Sequence, residues 1–139
     1  MAVSIVGASL PNVPWRERPA DSSDVVWRYA HNPVIPRHAA YSADSIYNSA
    51  VVPYDGRFAG VFRVDNRSRN MTLRRGFSDD GISFEIDEQP IRFIAEDDEI
   101  GAFIEAYDPR VVELDGRFYI QFCNNYHGYC IGMAYTDDF

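Results

Sequence analysis

The chain has 139 residues, 46% hydrophobic and 14% aromatic, with 13 basic and 21 acidic side chains and a net charge of −8. A chain of this size buries roughly 68% of its unfolded surface, enough for a real core. The composition excludes a disordered tail, a collagen-like fibre and a disulfide-dense mini-protein. The acidic balance argues against a nucleic-acid partner, which needs a basic face. No apolar run approaches the roughly 18 residues that would cross a membrane.

The opening MAVSIVGASLPNVPW has no basic n-region and only a short apolar stretch, so no signal peptide is expected. Two cysteines without such a signal point to reduced thiols and a cytoplasmic location. Pro11, Pro14, Pro19, Pro33 and Pro36 then suit an extended lead-in over residues 1–47. The informative feature follows it. Val51-Val52-Pro53-Tyr54-Asp55-Gly56-Arg57-Phe58 recurs sixty positions later as Val111-Val112-Glu113-Leu114-Asp115-Gly116-Arg117-Phe118. Each copy is an apolar run, an Asp-Gly turn and a second apolar run, a strong hairpin signal because Gly supplies a positive φ. Downstream, Met71 to Phe77 ends in Ser78-Asp79-Asp80-Gly81, and Ile131 to Tyr135 ends in Thr136-Asp137-Asp138-Phe139. In the first copy a fourth strand is expected, with Ile82, Phe84 and Ile86 alternating against Ser83, Glu85 and Asp87.

Four antiparallel strands at a period near 60 describe a propeller blade better than a sandwich, which would show even spacing without matched turns. The expected fold is all-β: a lead-in over 1–47, a first blade and connecting loop over 48–107, and a truncated second blade over 108–139. The segment from Glu96 to Glu105 reads as a blade-to-blade loop, and its acidic run Glu96-Asp97-Asp98-Glu99 as solvated. A two-blade piece standing alone would expose sheet edges and half a core, and so would self-associate or aggregate.

The repeat also aligns polar residues. Asn48-Ser49 stands where Asp108-Pro109 stands in the second copy. The first strand of a propeller blade lies innermost, so Asn48 and Asp108 are expected to converge on one site. Pro109 suits a strand's first residue, where no N–H is needed. A carboxylate there is a candidate general acid; equally, Asp before Pro favours a turn.

Arg63, Arg67, Arg69, Arg74 and Arg75 hold five of the 13 basic groups within 13 positions. Guanidinium forks suit anions and hydroxyl-rich ligands, whereas Arg74 and Arg75 read equally well as part of a solvated loop. Cys123 and Cys130 flank His127 in a spacing that fits no common zinc pattern, so no metal is expected. His127, in a loop, suits a ligand contact or proton donor. The motifs of nucleophilic triads, phosphate loops, dinucleotide binding and zinc proteolysis are absent. A carbohydrate-type site remains.

Several ordered segments carry a resemblance: Trp15-Arg16-Glu17-Arg18-Pro19, Trp27-Arg28-Tyr29, Asn32-Pro33-Val34-Ile35-Pro36-Arg37, Asn48-Ser49-Ala50-Val51-Val52-Pro53, Gly60-Val61-Phe62-Arg63, Tyr107-Asp108-Pro109-Arg110-Val111 and Asn125-Tyr126-His127-Gly128. They resemble glycoside hydrolase family 130, and most of all its β-1,4-mannoside phosphorylases. The resemblance implies a five-bladed β-propeller, of which this chain covers about the first two blades. It implies phosphorolysis with inversion: inorganic phosphate attacks a terminal β-mannosyl unit and releases α-mannose 1-phosphate. No cofactor is implied, phosphate being the co-substrate. The other partner is a β-mannosyl oligosaccharide, or mannose linked to glucose or N-acetylglucosamine, and association into a homo-oligomer is implied.

Residue by residue, Asp108 matches the general acid, acting through a sugar hydroxyl. Asn48, Ser49 and Arg63 match contacts to the mannose, Arg69 a position lining the same pocket, and Tyr107 and His127 the acceptor side. The family's other phosphate-binding residues are expected in later blades, so the 139-residue chain alone is expected to be inactive. Two alternatives accompany this reading, a β-mannoside hydrolase of the same family and a non-catalytic sugar-binding fragment.

Overall fold

The computed structural model describes residues 17–95 and 105–139. The Trp15-Arg16 segment, Pro11, Pro14 and the run Glu96-Asp97-Asp98-Glu99 lie outside the described residues. Seven strands form two antiparallel sheets, with no helix among the described residues. The first sheet contains β1 (Ala43–Tyr54), β2 (Arg57–Asn66), β3 (Met71–Ser78) and β4 (Glu85–Ile86), in chain order. The second contains β5 (Ala106–Leu114), β6 (Arg117–Asn124) and β7 (Cys130–Thr136), again in order.

Both Asp-Gly pairs form the tight turns their composition demands. Asp55 and Gly56 have φ of 45° and 74°, and Asp115 and Gly116 have 54° and 78°. Two consecutive positive φ values match the right-handed twist of the flanking strands, as in a type I′ hairpin turn. After β3, Ser78 Oγ accepts from the N–H groups of Asp80 and Gly81, and Asp80 accepts from Ile82 and Ser83. Those bonds hold the Asp80 carboxyl down at about 2, the Ser83 N–H contributing most. They also correct the expected fourth strand. Residues 82 and 83 belong to this turn, and the ladder with β3 is limited to Glu85–Ile86.

The start of the chain differs from expectation too. Residues 17–42 run through successive turns rather than one extended stretch; Pro19 and Pro36 accept from Ser22 and Ala39. The lead-in is short of 47 because β1 already begins at Ala43 and continues through a bulge at Asn48-Ser49. Ala40 and Ala43 cover one face of the first sheet, packing on buried Phe62 and Val64. The lead-in is tied down by Arg74, which donates to the Tyr41 carbonyl at 3.2 Å and to Ser42 Oγ at 3.1 Å. Arg74 and Arg75 therefore lie on β3 and not in a solvated loop. Arg74 is buried, and Arg75 pairs with Asp87 at 2.8 Å.

The other face of the first sheet meets the second. Val61 and Leu73 pack against Ala106, Ile120 and Phe122, and the Tyr54, Phe118 and Phe139 rings close one end of the junction. Within the first sheet, Gly60 and Gly76 are cross-strand partners lying under the Phe62 ring. A Cβ on Gly76 would stand 2.8 Å from both the Glu85 carbonyl oxygen and the Phe62 ring, and 3.2 Å from Ile86 Cα. Backbone cannot yield as a side chain can. Gly76→Ala is therefore expected to cost about 1–3 kcal/mol by overpacking, read as a lowered urea midpoint in the full-length gene product.

Candidate active site

The two sheets meet at matched irregularities. The β1–β2 register slips between Tyr47 and Ala50, and the β5–β6 register slips between Tyr107 and Arg110. Two residues, Asn48-Ser49 or Asp108-Pro109, oppose one phenylalanine in each ladder: Phe62 or Phe122. These are β-bulges, which re-aim side chains out of the regular alternation. Asn48 and Asp108 adopt φ of 49° and 51°, a left-handed conformation that Asn and Asp tolerate better than most residues. Pro109 is fully buried beside Asp108, and it lies in the bulge of β5, where it needs no ladder N–H, rather than at the strand's first residue.

The bulges bring residues sixty positions apart into contact. Asn48 Nδ2 donates to Asp108 Oδ1 at 3.0 Å, and Arg63 Nη1 donates to the same oxygen at 2.7 Å. Arg63 also donates to Asp65 through Nε and Nη2, at 2.9 Å each. Side-chain exposure is 11% for Arg63, 14% for Asp65 and 34% for Asp108. Burial pushes the Asp108 carboxyl up. The hydrogen bonds from Asn48 and Arg63, with the Arg63 and Arg110 charges, outweigh it and hold the carboxyl below its ordinary range. The Asp65 hydrogen bond raises Arg63 further above its usual value, against the opposing effect of burial, so it stays cationic. Asp108 is thus ionised near neutral pH.

Two aromatic rings flank the guanidinium. Tyr47 lies 4.3 Å and Tyr107 5.3 Å from its Cζ, each within cation–π range. Beside them an open cavity of about 390 Å³ is lined by Tyr47, Arg63, Asp65, Arg69 and Met71. Arg69 is exposed at its rim. Ser49 is half-buried next to Asn48, its hydroxyl 3.5 Å from the Tyr47 carbonyl. His127 is exposed on the turn between β6 and β7, its ring 4.1 Å from that of Tyr126. No hydrogen bond or ion pair of the described residues joins His127 to Asp108 or Arg63. Arg67 lines a separate depression of about 440 Å³ with His38 and Tyr41, away from the carboxylate cluster.

Tyr47 and Asp65 were not among the residues expected here. Both had a signal. Tyr47 is the sixty-residue counterpart of Tyr107, and Asp65 lies two residues after Arg63, on the same face of β2.

The family profile for glycoside hydrolase family 130, described as beta-1,4-mannooligosaccharide phosphorylase, matches residues 8–139. The chain is 50% identical over 143 residues to a beta-1,4-mannooligosaccharide phosphorylase of Ruminococcus albus. The chain belongs to glycoside hydrolase family 130. That alignment covers 97% of this chain and 42% of the relative, so the chain spans less than half of its length. Among solved structures, a protein from Bacteroides ovatus described as a glycoside hydrolase superposes with a TM-score of 0.63 at 22% identity, over 77% of this chain and 36% of the other. One from Bacteroides thetaiotaomicron described as a glycosidase gives 0.55 at 27% identity, over 67% and 30%. For this family 130 chain, the first of these likenesses bears on fold alone.

Proposed function

We propose that this chain supplies part of the active site of a glycoside phosphorylase that cleaves terminal β-1,4-mannosidic bonds with inorganic phosphate. The observation that carries the reading is the Asn48–Asp108–Arg63 cluster, assembled from both sheets in a family 130 chain. Asp108 is the acid for the leaving oxygen, working through a sugar hydroxyl. Asn48, Ser49 and Arg63 hold the mannose, Arg69 lines its pocket, and Tyr107 and His127 face the acceptor. Phosphate forms the new bond to the anomeric carbon as the glycosidic bond breaks, giving α-mannose 1-phosphate by inversion. Protons balance: hydrogen phosphate brings one, and the departing sugar hydroxyl keeps one. The entering anion also favours protonation of Asp108.

Inverting hydrolysis would need a second carboxylate to activate water. Asp65, the other carboxylate in the cluster, already accepts from Arg63 and Tyr47 and is poorly placed to act as that base. The test is release of mannose 1-phosphate by the full-length gene product from β-1,4-mannobiose or mannosyl-N-acetylglucosamine, with and without phosphate. Phosphate-dependent release is expected; mannose released at the same rate without phosphate would establish the hydrolase instead.

The same reading places the two sheets as blades of a five-bladed propeller. Support comes from the repeat. Leu73 is 1% exposed against the second sheet, whereas Met133, sixty positions later, is 69% exposed. Met133, with Ile131 and Tyr135, forms the equivalent face on which a third sheet would pack.

A further inference from the structure

Arg63 serves two carboxylates unequally. Its Nε and Nη2 edge forks onto Asp65, and only Nη1 reaches Asp108. Tyr47 backs the fork, its hydroxyl donating to Asp65 Oδ2 at 2.8 Å and its ring stacking on the guanidinium. Both donors to Asp108, Asn48 Nδ2 and Arg63 Nη1, use Oδ1. Among the described residues, Oδ2 of Asp108 accepts no hydrogen bond. A guanidinium freed from Asp65 could instead fork onto Asp108 and cover both oxygens, the geometry that arginine–carboxylate pairs favour.

We propose that Asp65, backed by Tyr47, is a positioning residue that restrains Arg63 to one hydrogen bond on Asp108 and so keeps Oδ2 open to carry the transferred proton. The proposal rests on the acid role given to Asp108 above. The charged and titratable groups around Asp108 are Arg63 and Asp65 from β2, Tyr47 from β1, Tyr107 and Arg110 on its own strand, and Cys123 opposite Tyr107 on β6. Losing the Asp65 charge removes a neighbouring anion and releases Arg63, and both effects favour the ionised form of Asp108.

The experiment compares wild type, Asp65→Asn and Tyr47→Phe in the full-length gene product by two readouts. The first is the carboxyl ¹³C titration of Asp108, which needs no substrate. Asp65→Asn is expected to shift it to lower pH by about one unit, and Tyr47→Phe by less in the same direction. The second is the pH profile of phosphorolysis, whose basic limb should move likewise, with kcat falling about tenfold and KM little changed. If Asp65→Asn does not fold, the Tyr47→Phe titration decides. An unchanged Asp108 titration in the folded variants overturns the positioning role whatever the activity. Absence of phosphorolysis in wild type overturns the proposed function and leaves the titration to judge Asp65 alone.

Discussion

Replacing Asp108 by asparagine is expected to lower phosphorolysis by about 10³-fold, within the range that a general acid contributes. The exchange is close to neutral for the backbone. Asp108 sits at φ 51°, and asparagine is one of the few residues that enters the left-handed region readily. It removes one negative charge beside Arg63, but Arg63 keeps a carboxylate partner through its fork to Asp65. Its amide oxygen can still accept from Asn48 and Arg63, but its nitrogen carries no transferable proton. The measurement is kcat on β-1,4-mannobiose with saturating phosphate, beside a thermal unfolding curve. Retained turnover with an unchanged curve would remove Asp108 from the acid role; a collapsed curve would mark it as structural.

Removing Arg63 acts on stability as well as on activity. Arg63→Met keeps much of the side-chain stem but leaves Asp65 and Asp108 without their cation at a mostly buried position. Deleting one partner of a buried ion pair costs about 3–5 kcal/mol. Since Asp108 keeps a third of its exposure, about 3 kcal/mol is expected here. The sign of the pH dependence follows from the lowered Asp108 carboxyl. Its stabilising contribution is fully present above the unfolded value of about 3.9 and is lost as the pH falls through the lower folded value. The gap between wild type and Arg63→Met should therefore be widest near neutral pH and narrow below about pH 4. Urea midpoints at pH 7 and pH 3.5 check this. An equal gap at both would assign the loss to packing rather than charge.

Much of this arrangement is legible in the sequence itself, for a specific reason. Turn chemistry is local, so the two Asp-Gly pairs announced their hairpins, and a repeated pattern aligns equivalent positions without knowledge of the packing. The equivalence of Asn48 with Asp108 came from that repeat, and the two residues do meet at 3.0 Å. Local signals were weaker guides where side chains compete for backbone groups. The Asp80 carboxylate captured two N–H groups that strand alternation had assigned to β4. The arginine run shows the same limit. Five similar side chains within 13 positions end in different places: Arg63 in the carboxylate cluster, Arg69 at a cavity rim, Arg67 beside His38, Arg74 buried under the lead-in and Arg75 paired with Asp87.

A length of 139 residues, 46% of them hydrophobic, suffices for a core, and the period of 60 divides the chain into two similar units. Together they determined the two Asp-Gly hairpins and the pairing of Asn48 with Asp108, because turn chemistry and a repeat depend only on neighbours along the chain. The tertiary structure alone decided which oxygen of Asp108 receives hydrogen bonds and which carboxylate takes the arginine fork. Those outcomes depend on how two bulges approach across the junction between the sheets, and on Tyr47 stacking against a guanidinium from the neighbouring strand. A competition between two carboxylates for one cation is settled by distance and burial, which no spacing in sequence encodes.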